Sequence, residues 1–506
     1  MKIFSSEALK QLRTTTCERQ NISTIDLIER EGSVVSSEII SRFLPSQRIV
    51  VMAGPDNNGA VASAAARMLF EQGYKKVEIF LFSIGKLSHD CDEERKKLLP
   101  IDGLDFTEVT KEFVPPYLGE SDVLLDGLFG IELSEPMRGG FVAVARYINE
   151  SGAFVISIDV PSGLLGEWNQ HVMKRDVIHA NVTLTFQLPR LSFFFPENAE
   201  ILGDWKLMDI DLDIAKIKDM ESDYRLMEAR NVRPLIKPRP PYTSKRDYGS
   251  ALFFAGSTGM VGAAVMTSRS SLRSGAGLAT VHGPRAALNI VQTAAPEVMF
   301  EPDRNEHVIT EMPLHYTHQA VCAGPGIGTH DRTVDALEGL LKQSPSNLVL
   351  DADALNCIAK RPALLSMLPP RTIITPHVGE FDRLFGNHDN SEMRLQTALE
   401  MARQYNLVIV LKGHHTMVVG ATGRVSINST GNPGMATAGA GDVLAGVITA
   451  FLAQGYSPDL AAKIGVYIHG LAGDMAAEDL GEFGVMASDI ANRVGRAIKR
   501  VMAQHS

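Results

Sequence analysis

Cysteine is scarce in this sequence. Its four residues, Cys17, Cys91, Cys322 and Cys357, are scattered through 506 positions, and no two stand at metal-ligand spacing. That argues against a cysteine-held metal, and a structural disulfide is not expected. Positive charge is in deficit: 49 Lys and Arg face 59 Asp and Glu, a net charge of −10. A nucleic-acid binder needs a basic face, so no nucleic-acid partner is expected. Long hydrophobic runs are missing too. No stretch approaches the roughly 18 apolar residues of a membrane span, and Met1 to Glu7 lacks the apolar centre of a signal peptide. These absences leave a cytoplasmic enzyme, free of the membrane, as the expectation.

What is present is an ordinary globular composition, 45% hydrophobic and 21% charged, on a chain long enough for two or three domains. The first half alternates short apolar runs with helical patterns, which predicts an α/β fold with a parallel sheet. Strands are expected at 48–53, 77–82, 123–126, 154–159 and 182–186, and helices at 36–44, 61–71, 93–99 and 138–150. Between Pro234 and Tyr242 the prolines break every pattern. The domain boundary is placed within 217–240, giving domains of 1–220 and 221–506. The second half repeats the α/β style, with strands expected at 250–255, 319–323, 347–350, 372–374 and 408–411.

The most informative stretch runs from Thr430 to Gly446. A glycine-dense loop ends in Asp442, and an apolar helical run, Val443 to Leu452, begins at once. Unpaired N–H groups at a helix start suit a phosphate, and glycines let the backbone approach it. A carboxylate there repels the phosphate but can take the proton of a hydroxyl that attacks phosphorus. The plainer reading is a turn whose Asp caps the helix. Four further loops follow strands of this half: Gly256 to Gly259, Gly324 to Gly328, Thr375 to Glu380 and Lys412 to Thr416. Ligands sit at such strand ends in open α/β sheets. His377 is either structural or a substrate contact, and Lys412 either an exposed strand end or a cation for phosphate.

The run from Gly431 to Gly446 resembles the signature of ADP-dependent NAD(P)H-hydrate dehydratases, within the ribokinase-like superfamily. Asp351 to Asn356, Thr375 to Glu380 and the Gly256 and Gly324 loops fall in that family's order, and the likeness spans about Arg233 to Met502. The resemblance implies a ribokinase-like domain that phosphorylates the hydroxyl of the S form of hydrated NADH or NADPH (NADHX, NADPHX). ADP is the implied donor, with Mg²⁺; AMP and phosphate leave as the reduced cofactor is restored. It implies Asp442 as base, touching substrate, with Gly441 against the nucleotide. Lys412, Gly413, His414, His415 and Thr416 would hold ADP, while Ala263, Gly326 and His377 would line the substrate.

In the first half, Gly54 to Gly59 lies between a strand and a helix, and Asp126 and Asp159 end strands, with Pro161, Ser162 and Gly163 after the second. Two carboxylates, an amide and a hydroxyl converging from strand ends make a pocket for a hard cation or a polar ligand. Helix capping by both aspartates is the alternative. These residues resemble the NAD(P)H-hydrate epimerases, a Rossmann-like three-layer sandwich, over about Ser6 to Asp211. The resemblance implies K⁺ bound by Asn58, Asp126 and Ser162. Substrate would meet Asn57, Asn58, Gly59, Ala60 and Val61, then Gly130, Ile131, Glu132, Leu133, Ser134, Glu135 and Pro136, and the catalytic Asp159. Val61 stands where that family carries Asp, and Asp56 where glycine is usual.

The expectation is a fused enzyme, epimerase first and dehydratase second, forming a homo-oligomer. A vitamin-pathway kinase of the hydroxymethylpyrimidine or hydroxyethylthiazole sort would share the Gly-Ala-Gly-Asp442 loop. A catalytically dead first half acting as a cofactor sensor is the third reading, favoured by Val61.

Overall fold

The computed structural model describes residues 1–314 and 320–503. The chain separates into two compact units, Lys2–Ser222 and the residues from Asp223 onward. Both are α/β, as the alternating pattern predicts.

In the first unit seven strands form one sheet, all neighbours parallel, in the spatial order Asp105–Val109, Val77–Phe82, Ile49–Ala53, Val123–Gly127, Phe154–Ile158, Val182–Phe186, Asp204–Met208. Valine, isoleucine and leucine fill the inner strands because both faces are covered. From Ile49–Ala53 the chain winds first one way and then the other, and the loops after Ala53 and Gly127 flank the point where the order reverses. Ligands collect at that crevice in doubly wound sheets. The expected helix 36–44 is the last part of a longer one, Thr24–Arg42, started by a capping box between Ser23 and Asp26. Helix Ser6–Gln20 precedes it. The helix expected at 61–71 begins at Asn57. The strand expected to reach 159 stops at Ile158, because Asp159 takes a left-handed backbone (φ 65°) that no strand accommodates.

The second unit repeats this winding. Met299–Pro302, Leu278–Gly283, Ser250–Phe254, Ala320–Ala323, Leu348–Leu350, Ile373–Ile374 and Val408–Leu411 lie side by side in that order, all parallel. Met417–Val419 and Val425–Ile427 add antiparallel strands beyond Leu411. Of the strand expected at 319–323, Gln319 lies outside the described residues. Helices Val261–Arg273 and Ala440–Ala453 cross closely. A Cβ on Gly446 would overlap the backbone of Thr267, and Ser270 Oγ donates to the Val443 carbonyl at 3.1 Å. That crossing explains the small residues Thr267, Ser270 and Ser271 on the first of these helices.

Candidate active sites

The five loops singled out in the second half do share one edge of their sheet. Gly256 N donates to the Pro325 carbonyl at 2.8 Å, which joins the loops at the reversal of strand order. A Cβ on Gly326 would come within 2.9 Å of the Ala263 Cβ, so these two residues touch. Lys412 N donates to the Pro376 carbonyl at 3.1 Å. Lys412 Nζ reaches Asp351 Oδ1 at 2.8 Å and lies 3.9 Å from Glu380. Burial lowers the lysine's pKa, but Asp351 and then Glu380 outweigh it and hold the ammonium above its ordinary range. His377 caps helix Val378–Phe385, its Nδ1 accepting from Gly379 N at 3.0 Å, and stays half-exposed. The Lys412 to Thr416 segment is a tight turn, with Thr416 Oγ1 donating to the Gly413 carbonyl and the rings of His414 and His415 in edge contact.

Helix Ala440–Ala453 starts from Gly439 (φ 88°) with no side chain capping it. Ala440 N donates to the Thr437 carbonyl at 3.3 Å, and the N–H groups that follow it suit an anion. A Cβ on Gly441 would stand 3.4 Å from Lys412 Nζ. Asp442 therefore sits beside an ammonium and at the positive end of a helix. Burial and the charge of Asp351 nevertheless push its carboxyl up to about 7, against the pull of Lys412. A carboxyl poised near neutrality suits a general base.

The loop before Asp442 is held by helix Pro458–Leu480. Asp474 accepts from Gly431 N at 3.0 Å and from Asn432 Nδ2 at 3.0 Å, and Thr430 Oγ1 donates to the Tyr467 carbonyl at 2.9 Å. Gly470 and Gly473 clear the way: a Cβ on Gly470 would lie 2.7 Å from the Thr430 carbonyl carbon. His469 of the same helix is buried, which lowers its pKa to about 4 and keeps the ring neutral.

In the first unit, Asp126 is fully buried. It accepts from Ser162 Oγ at 2.6 Å, Ser162 N at 2.9 Å, Ser157 Oγ at 2.7 Å and Leu128 N at 3.2 Å. Asn58 Nδ2 donates to the Ile158 carbonyl at 3.3 Å, and a Cβ on Gly130 would touch the Asn58 side chain. Asn58, Asp126 and Ser162 thus belong to one cluster, but protein donors already serve the Asp126 carboxylate. Asp159 Oδ1 accepts from buried Arg190 and, at 3.3 Å, from Thr185 Oγ1. Asp159 lines a recess with Asn57, Asn58, Val61, Ile131 and Glu132. Gly130–Glu132 form a 3-10 turn, whereas Ser134 and Glu135 point into solvent. Arg13 and Glu31, which the sequence did not single out, line the same recess and pair through both carboxylate oxygens. Among the described residues, no group of three or more His, Cys, Asp or Glu is arranged to hold a metal ion.

Two doubly wound sheets, each keeping an aspartate at the reversal of its strand order or beside it, define a two-site α/β enzyme for small polar metabolites. Residues 251–496 match the NAD(P)H-hydrate dehydratase family, and residues 24–192 match the family described as YjeF-related protein N-terminus. The bifunctional NAD(P)H-hydrate repair enzyme Nnr of Thermofilum pendens is 33% identical over 99% of this chain and 96% of its own. That of Coxiella burnetii is 30% identical over 96% and 97%. A crystal structure of the ADP/ATP-dependent NAD(P)H-hydrate dehydratase from Bacillus subtilis, co-crystallised with ATP/Mg²⁺, is 29% identical. It covers 55% of this chain and 98% of its own, with a TM-score of 0.49. The chain belongs to the family of bifunctional NAD(P)H-hydrate repair enzymes, with an epimerase part and a dehydratase part.

Proposed function

We propose that residues 221–506 dehydrate the S form of NADHX and NADPHX at the expense of ADP, and that residues 1–220 interconvert the R and S forms. The observation that carries the first half of this reading is Asp442, a carboxyl near neutrality on an uncapped helix start beside Lys412. Asp442 takes the proton of the substrate hydroxyl as its oxygen attacks the β-phosphorus of ADP, and AMP leaves. The phosphate ester then departs with its C–O electron pair while the neighbouring carbon gives up a proton, restoring the double bond. Gly441 and the Lys412 to Thr416 turn bind the nucleotide, and Ala263, Gly326 and His377 the hydrated nicotinamide. Mg²⁺ would accompany the nucleotide and neutralise its phosphates, and the carboxylates of Asp351 and Glu380 make that surrounding fit a cation.

In the first domain Asp159 takes the hydroxyl proton as the ring C–N bond opens to leave an aldehyde, the electron pair and a proton passing to nitrogen. The nitrogen then re-adds to the other face of the carbonyl, releasing its proton as the oxygen regains one from Asp159. Arg190 holds the carboxylate in place. K⁺ would be held by Asn58 and Ser162, with Asp126, whose oxygens also accept from Ser157, Ser162 and Leu128, supplying the one net negative charge that suits a weakly held monovalent ion. Burial pushes the Asp126 carboxyl up, and a bound cation would favour its ionised form. Such chains are expected to assemble as cytoplasmic homo-oligomers. The test is a mixed-epimer NADHX sample given purified protein, followed at the reduced-nicotinamide absorbance. Recovery of NADH only when ADP is added supports the reading, and no recovery with ADP refutes it.

A further inference from the structure

The first domain holds two adjoining cavities. The inner recess, at Asp159, has a volume of about 20 Å³, roughly the room one water needs. A dinucleotide cannot lie there; only the edge of its hydrated ring could reach Asp159. The outer cavity, of about 200 Å³, lies against helices Ser6–Gln20 and Thr24–Arg42. Arg13, Asn57 and Glu132 line both, so the two share a wall.

We propose that the outer cavity is the subsite for the adenosine half of the hydrated dinucleotide, with the Arg13 guanidinium at the shared wall facing the pyrophosphate. This rests on the epimerase reading of Asp159. Size is the first argument, since whatever part of the substrate does not enter the inner recess needs a neighbouring space. Charge is the second. Lys10 is paired with Glu132 at 2.8 Å, and Arg13 with Glu31, whose side chain is wholly buried. With Asp90 on the lining as well, these two cations meet three carboxylates, a balance that suits an uncharged nucleoside better than a terminal phosphate. The lining is the third argument. Thr24 Oγ1 donates to Asp90 at 2.9 Å, and a carboxylate held in this way can accept from ribose hydroxyls. Leu27 supplies apolar surface for a base. At the junction, Glu31 engages two of the five guanidinium N–H donors of Arg13, Nη2 to Oε2 at 3.0 Å being one contact. The pair fixes the plane of the fork and leaves donors for an anion.

The experiment compares two substrates on the full chain without nucleotide, so that the second domain is idle. R-to-S interconversion is followed chromatographically for hydrated NADH and for hydrated reduced nicotinamide mononucleotide, which lacks the adenosine half. Wild type should show a KM about tenfold lower for the dinucleotide, the effect of roughly one or two hydrogen bonds. Thr14 is exposed on its helix and lines only the outer cavity, so Thr14→Trp should fill that space without disturbing Asp159. Its KM for the dinucleotide should rise about tenfold, and that for the mononucleotide should stay within about twofold. Thr24→Val keeps the side-chain shape, and should raise the dinucleotide KM alone by about threefold; it carries the test if the tryptophan variant does not fold. Equal changes on both substrates, or none on either, overturn the subsite while leaving the epimerase intact. A wild-type protein that interconverts neither hydrate overturns the epimerase reading itself.

Discussion

Asp442 stands at the N-terminus of a helix and next to an ammonium, two features that ordinarily lower a carboxyl pKa, yet it is held near 7. Desolvation and the charge of Asp351 prevail because the side chain is largely withdrawn from water. The base must be ionised to act, so dehydratase kcat/KM should fall about tenfold per unit as pH drops below about 7 and level off above it. A profile flat from pH 5 to 8 would contradict the assignment. Stability runs the other way. A raised folded pKa favours the protonated form, so this group's contribution is full below the ordinary 3.8 and is lost as pH rises through about 7. The enzyme is thereby most active where this residue stabilises it least. Asp442→Asn removes the base and keeps the shape, and kcat should drop by roughly two to four orders of magnitude; near wild-type turnover would refute the role. The Gly-rich loop and Asp442 are legible in sequence because they are contiguous. The Asp351–Lys412 pair, 61 positions apart, is not, since only the order of the strands brings its members together.

Among the elements, helix Pro458–Leu480 has the least obvious task. Tyr467, Gly470, Gly473 and Asp474 recur at helical spacing and meet Thr430, Gly431, Asn432 and Met435. One face of the helix is thus a template for the loop that leads to the base. Gly470→Ala would press a methyl into the Thr430 backbone, and overpacking of this kind costs about 1–3 kcal/mol. The loop is easier to displace than the helix, so dehydratase kcat should fall about tenfold or more while epimer interconversion is untouched. A variant that loses thermal stability yet keeps full kcat would show that the loop is not templated in this way. Elements also show where sequence patterns stop. Ile49–Ala53 and Val123–Gly127 have both faces covered and read as apolar runs. Asp105–Val109 and Asp204–Met208 close the two ends of the sheet, with Asp, Glu and Lys at exposed positions, and nothing local distinguishes them from loops. Helix Ser6–Gln20 is mostly polar and buries little beyond Leu9, Leu12, Thr16 and Cys17. Arg13 lies on this helix, and its polar surroundings give no sign in the sequence of the recess it lines.

For the molecule as a whole, Asp442 and Asp159 lie in different compact units. A dehydratase restricted to the S form leaves the R form stranded, and an epimerase on the same chain releases it. The two steps should therefore be separable by single isosteric changes in an otherwise complete protein. Given mixed epimers and ADP, wild type should restore all the cofactor. Asp442→Asn should restore almost none, yet still bring R and S to equilibrium. Asp159→Asn should restore the S share at the normal rate and then stall, advancing only as fast as the epimers interconvert unaided. Asp159 is paired with buried Arg190, and losing one charge of a buried pair costs about 3–5 kcal/mol; Asn keeps one acceptor oxygen for the guanidinium and softens that loss. A thermal unfolding curve confirms that the variant is folded before its kinetics are read. If Asp159→Asn matches wild type through both phases, the first domain is not an epimerase acting through that residue. A wild type that itself stalls after the S share would instead support the reading favoured by Val61, a cofactor sensor without chemistry of its own.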